Sequence, residues 1–115
     1  MEMKEAFVTC MKKYATFSGR ATRSEYWWFI LCEVLIIVGV SAVSNSLGSL
    51  AALLLLLPVL AAGARRLHDI GRSAWWLLIG FIPVIGTLLL IYWAVQPSQP
   101  GANEFGDPVS GLNAV

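Results

Sequence analysis

The stretch RRLHDIGRS, residues 65–73, decides how this chain is read. It sets three arginines, the only histidine and an aspartate between two long apolar runs, 47–64 and 74–95. Helix-end chemistry accounts for much of it. Arg65 and Arg66 suit the carboxyl end of a helix, where cations meet the negative end of the dipole. Gly71 can adopt the left-handed backbone that ends a helix. Ser73 is a good amino-terminal cap for the next one. Trp75 and Trp76 then fall where indole rings prefer to lie, at the border between lipid and water. The stretch therefore reads as a wet turn between two membrane helices, and that reading leaves His68 and Asp69 unexplained.

The rest of the chain agrees. Of its 115 residues 57% are hydrophobic and 13% charged, against about 25% charged in soluble domains. A soluble domain of this size cannot bury so much apolar surface. The expectation is one all-α integral membrane domain over residues 1–115. Three runs have membrane length, 26–43, 47–64 and 74–95. As helices they would reach about 27, 27 and 33 Å, against a hydrocarbon core of about 30 Å. Lipid offers the backbone no partners, so each run should be helical.

Basic residues set the orientation. Lys4, Lys12, Lys13, Arg20 and Arg23 precede the first run, Arg65, Arg66 and Arg72 lie in the second turn, and neither the turn SNSLGS (44–49) nor the tail has any. Positive residues stay in the cytoplasm. Three spans with the amino end inside and the carboxyl end outside fit every segment. The third run contains IPVIG (82–86), whose proline should kink the helix. A re-entrant hairpin is the alternative, but each arm would be about ten residues and short of a span. Pro58 should kink the second helix likewise. The first run is too long, and too far from the start, to read as a cleaved signal peptide.

Before the membrane, Phe7, Cys10, Met11 and Tyr14 follow helical spacing and oppose Lys4, Thr9, Lys12 and Lys13. This predicts an amphipathic cytoplasmic helix, lying in the headgroup plane or packed on the protein's inner loops. After the membrane, residues 96–115 read as a polar, partly disordered tail. Gly39, Ala61, Ala62, Gly63, Gly80 and Gly86 are candidates for close helix packing. Cys10 and Cys32 read as free thiols.

FSGRATRSEYWW (17–28) mirrors the second turn, with Thr22 or Ser24 as the cap of the first helix. Both segments should share one cytoplasmic surface. They would offer Arg20, Arg23, Arg65, Arg66 and Arg72 there, with Glu25 and Asp69 as counter-ions and His68 alongside. Guanidinium groups fork onto phosphates, so this surface could hold an anionic lipid headgroup; mutual salt bridging and leaflet anchoring are the plainer reading. Asp69 could pair with Arg65 or Arg23. His68 and Asp69 are adjacent and do not face each other on a helix, which makes them a poor dyad. Glu33 is the one ionisable residue deep in a span, where such groups face protein or water. It could be neutral, or pair with a snorkelling Arg65.

Taken together, FSGRATRSEYWWF, RRLHDIGRSAWW, IPVIG and PGANEFGDP resemble, in that order, the signature segments of a bacterial inner-membrane family known as domain of unknown function 805. The likeness covers about residues 14–108. It implies a protein of the cytoplasmic membrane and no assigned activity. The motif positions it carries are Gly19, Arg20, Arg23, Trp27, Arg65, Arg66, His68, Asp69, Gly71, Trp76, Asn103 and Gly106. It also implies an ordered tail segment. Three spans would put that segment across the membrane from the arginine turns. A hairpin would instead gather Arg65, His68, Asp69, Asn103 and Asp107 into one polar site.

The function expected is a small non-enzymatic membrane protein whose arginine-rich inner surface meets anionic phospholipid or a partner protein. It should need no metal or cofactor and bind no nucleic acid, and it could self-associate. A second expectation is an oligomeric transporter or channel using Glu33. A third is a membrane enzyme on a lipid phosphate, with His68 and Asp69 in its site.

Overall fold

A computed structural model describes residues 2–107; the end of the tail, 108–115, lies outside them. Four α-helices form, α1 Met3–Lys12, α2 Arg23–Val43, α3 Asn45–Asp69 and α4 Ile85–Ala94, with a 3-10 helix Ala74–Phe81 before the last. α2 and α3 are long and apolar enough to cross a membrane, at about 31 and 37 Å.

α2 and α3 form a hairpin joined by Ser44 alone. That residue is extended, and its hydroxyl accepts from Leu47 N–H. The bend is tight because Gly48 lies on α2: a Cβ there would come within 2.9 Å of the Ser41 backbone. α3 therefore starts before the apolar run does. It also outlasts the run by five residues, through the arginines to Asp69. There Arg72 N–H donates to Leu67 O and Gly71 N–H to His68 O, with Gly71 at φ +81°. This is the left-handed helix stop expected of Gly71. Thr22, one of the two expected caps, closes the start of α2 by accepting from Glu25 N–H, and Ser73 caps the 3-10 helix.

α1 packs its apolar side on the α2–α3 pair. Cys10, Phe29 and Ala62 form the buried centre, ringed by Phe7, Met11, Tyr26 and Val59. Tyr14 lies beyond the end of α1 and has a separate task. Pro58 sits inside α3 and has no N–H, so the carbonyl of Leu54 lacks its helical partner. The Tyr14 hydroxyl donates to that carbonyl. Gly63 meets Leu77 of the 3-10 helix, whereas Gly39 faces open space and packs on nothing within 4 Å.

The third run does not form the single kinked helix expected over 74–95. Proline removes a donor and disfavours the helical conformation of the residue before it, and Ile82 is extended at φ −85°, ψ 111°. Val84 then takes φ 64°, ψ −66°, while Ile85 N–H donates to Pro83 O at 2.7 Å. That is a γ-turn of the strained kind. The chain doubles back and α4 returns along the 3-10 helix. Gly86 permits this, since a Cβ there would lie 1.8 Å from Ile79 O. The arms measure about 16 and 15 Å, half the hydrocarbon thickness. Residues 96–107 consequently lie at the same end of the bundle as the arginine turns. The expectation that spans would separate them fails, because Arg20 bonds directly to Gly101 O.

Tyr14→Phe is expected to lower stability in detergent by about 1 kcal/mol, the net worth of one hydrogen bond. In a Pro58→Ala background, residue 58 can supply the N–H itself and the same change should cost much less. Thermal melts of the four proteins check this. Equal costs in both backgrounds would break the link between Tyr14 and Pro58.

Candidate functional site: a buried arginine cluster

Successive residues on a helix point about 100° apart, so Arg65 and Arg66 serve different partners. Arg65 turns to the start of α2 and pairs with Glu25. Arg66 turns to the hairpin. Its Nη1 donates to Asp69 Oδ2 at 2.8 Å and to Ala21 O at 3.2 Å, its Nε donates to Ala94 O at 3.1 Å, and its Nη2 to Gln96 O. Arg20 enters from the loop held left-handed at Gly19. Its Nε donates to Asp69 Oδ1 at 2.9 Å, its Nη1 to Gly101 O at 2.7 Å, and its Nη2 to Gln99 O and to Asp69 O. Asp69 thus pairs with Arg20 and Arg66, not with Arg65 or Arg23. Ser98 Oγ completes its shell.

These groups are not a surface. Arg20 is 3% exposed, Arg65 0%, Arg66 1% and Asp69 0%. The five arginines grouped from the sequence therefore do not form one surface, and the mutual salt bridging given there as the plainer reading holds for three of them. Three of the five are consumed inside the protein, because the carbonyls at the ends of α3 and α4 and in the tail need donors and the two carboxylates need cations. Arg23 reaches Val95 O at 3.3 Å and stays half-buried; Arg72 is exposed. With Trp27 Nε1 donating to Ala94 O at 3.0 Å, the carboxyl end of α4 is capped by an indole and two cations, as its dipole favours.

The tail closes the cluster from above. Gln99 N–H donates to Asp69 O at 2.8 Å, and Asn103 Nδ2 donates to His68 O at 2.9 Å. Phe105 stacks on the His68 ring, with centroids 4.0 Å apart and planes within 4°. His68 Nδ1 lies 2.9 Å from Gly19 O. A carbonyl only accepts, so Nδ1 carries the proton. Asp69 accepts from both arginines and Ser98, and no hydrogen bond joins it to the imidazole among the described residues. Of the composite site foreseen for a hairpin, His68, Asp69 and Asn103 do gather here, whereas Arg65 turns away to Glu25. Gly106 pairs with Asn103, and Asp107 stays exposed and outside the network. Gln99 and Ser98 were not foreseen. Nothing in QPSQP marks them apart from any polar linker.

Glu33 does not reach Arg65. Among the described residues, one of its carboxyl oxygens is enclosed without a partner, as are Nε and Nη2 of Arg65. Cys10 lies near the Glu25–Arg65 pair, its thiol 3.8 Å from Glu25 Oε2. Burial, and then the Glu25 carboxylate, push this thiol up to about 11, with Arg65 opposing. Among the described residues no three metal-ligating side chains come together.

Removing Arg20 leaves Asp69 with Arg66, whereas removing Asp69 strands two buried cations. Asp69→Ala should therefore destabilise more than Arg20→Ala, by an amount in the range of about 3–5 kcal/mol for a broken buried pair. Both should speed proteolysis within residues 97–107. Melting curves and timed digestion check the order, and Arg20→Ala matching or exceeding Asp69→Ala would contradict it. Cys10 holds its proton more tightly when folded, so its contribution to stability is present at neutral pH and is lost as pH rises from about 9 to about 11. In a Cys32→Ser background, alkylation of Cys10 should be slow at pH 8 and accelerate only near pH 11. Rapid labelling at pH 8 would show the thiol to be free.

Comparison with known proteins matches this chain to a family described only as a protein of unknown function, DUF805, over residues 14–107. Two Escherichia coli K12 proteins are similar along almost their whole length. The inner membrane protein YhaH is 39% identical over 114 residues, covering 89% of this chain and 94% of its own. The inner membrane protein YhaI is 40% identical over 115 residues, covering 93% and 98%. The uncharacterized protein YiiR is 32% identical over 89 residues, 71% of this chain and 59% of its own. No solved structure matches. The matched segment contains every residue of the buried cluster except Cys10, and the chain belongs to the DUF805 family of membrane proteins.

Proposed function

We propose that this is a non-enzymatic inner-membrane protein with two spans and a hairpin that enters the bilayer from the cytoplasmic side. Both chain ends lie in the cytoplasm, and the positively charged end of the bundle engages anionic phospholipid. The observation that carries the reading is the sharing of one carboxylate, Asp69, by two buried arginines. The cluster keeps a surplus positive charge, and Arg23, Arg72, Lys4 and Lys12 add more, none of them in an ion pair among the described residues. Basic residues stay inside, and the tail is tied to them by Arg20, so one argument orients both ends. The half-length arms of the third run support a hairpin over a span. Anionic inner-leaflet lipids attract basic segments at the membrane border by about 1 kcal/mol per charge.

Two measurements test this. A reporter active only in the cytoplasm, fused after Val115, is expected to work, and one active only outside is expected to fail. The reverse result would restore a third span. Native mass spectrometry of protein extracted from mixed vesicles is expected to retain phosphatidylglycerol over phosphatidylcholine. Equal retention would leave a partner protein, not lipid, as the occupant of this face.

Glu33 favours a second reading, an oligomeric transporter or channel, because one of its oxygens has no partner among the described residues and ionisable groups inside spans are the kind that mark ion or proton paths. Liposome flux that disappears in Glu33→Gln would support it, and a strictly monomeric protein without flux would remove it.

A further inference from the structure

Arg72, one of the two arginines that the cluster leaves out, lines a cleft. Between the turn after α3 and the end of α4 lies an open cavity of about 370 Å³, bordered by Arg72, Tyr92, Trp93, Gln96, Ser98 and Gln99 among others. Its size falls within that of small-molecule sites, about 300–1,000 Å³. The Arg72 guanidinium carbon lies 4.3 Å from the ring centre of Trp93 and 6.0 Å from that of Trp76. The two indoles are themselves packed edge to face, with centroids 5.5 Å apart, and Trp93 is buried. One face of the guanidinium is thus held against a fixed wall. Its N–H edges are uncommitted, since Arg72 makes no side-chain hydrogen bond or ion pair among the described residues. A stacked guanidinium with free edges is the geometry that forks onto a phosphate.

The surroundings favour an anion. Among the described residues no carboxylate borders the cleft, and Asp69 is already overcompensated by Arg20 and Arg66. Gln99 Oε1 accepts from Asn103 Nδ2 at 2.9 Å, which turns its own amide nitrogen into a spare donor. Gln99 lies against Gly71, where any Cβ would come within 2.6 Å of Oε1. On α4, which supplies Tyr92 and Trp93 to the cleft, Leu88 and Ile91 are apolar and exposed.

We propose that this cleft binds the phosphodiester of an anionic phospholipid, with Arg72 as the phosphate ligand and the acyl chains lying along α4. The assignment rests on the lipid reading above and sharpens it to one site. The test is native mass spectrometry of the full-length protein from vesicles of equal phosphatidylglycerol and phosphatidylcholine, for the wild type, Arg72→Gln and Arg72→Lys. The loss of a charge-assisted contact should cut retained phosphatidylglycerol roughly tenfold in Arg72→Gln. Arg72→Lys should recover only part, because an ammonium keeps the charge but not the fork. Helix content should hold in both, and the melting temperature should fall only by the loss of the indole stacking, as no hydrogen bond is removed. Wild-type preference that persists in Arg72→Gln would overturn the site while leaving the general lipid reading intact. No preference in the wild type would overturn both. Displacement of the lipid by millimolar inorganic phosphate would show a free-anion site and overturn the lipid assignment.

Discussion

Everything at one end of this molecule depends on Asp69 being shared by Arg20 and Arg66. Two guanidinium groups and a carboxylate out of contact with water are costly unless nearly every donor and lone pair is answered. Here the answers come from four separate parts of the chain. Ala21 lies before α2, Asp69 ends α3, Ala94 ends α4, and Gln96, Gln99 and Gly101 belong to the tail. None of these segments can leave without stripping hydrogen-bond partners from a buried charged group. A cluster of this kind adds little net stability by attraction alone. Its effect is to make any other arrangement of hairpin and tail expensive.

The second constraint is the bilayer, which offers the backbone no hydrogen bonds. Each place where the helices break is therefore answered within the chain. The missing N–H of Pro58 is replaced by the Tyr14 hydroxyl on Leu54 O. The reversal at Pro83 closes on itself through the Val84 turn, and Gly86 lets α4 lie directly against the Ile79 carbonyl. Strain at Val84, a β-branched residue at positive φ, persists because both hairpin arms are fixed, one through Trp76 on Trp93 and the other through Arg66 and Trp27 on Ala94.

Arginine has two different uses in this protein. Arg20, Arg65 and Arg66 hold the fold together and are sealed from solvent. Arg72, stacked on indoles and facing out, is free to meet a ligand. The motif around residues 65–73 thus combines a structural lock with a candidate binding group, and chain position alone does not tell them apart.

The sequence by itself determined the local elements. Apolar runs of membrane length marked α2 and α3, the caps Thr22 and Ser73 and the left-handed Gly71 fell where helix-end chemistry put them, and the motifs pointed to the right family. Those features depend on residues within a few positions of each other. Hydrophobicity misled over 74–95, because length and apolarity are the same for a span and for a hairpin. The choice turned on whether Gly86 could touch Ile79, a contact made only after the chain folds back. The arginines were legible as a set but not in their roles. Arg65 and Arg66 look alike in sequence, and only the 100° between them on α3 sends one to Glu25 and the other to Asp69. Ser98, Gln99 and the stacking of Arg72 on Trp93 had no sequence signal at all. They join residues 21 to 79 positions apart, and tertiary structure alone decides such pairings.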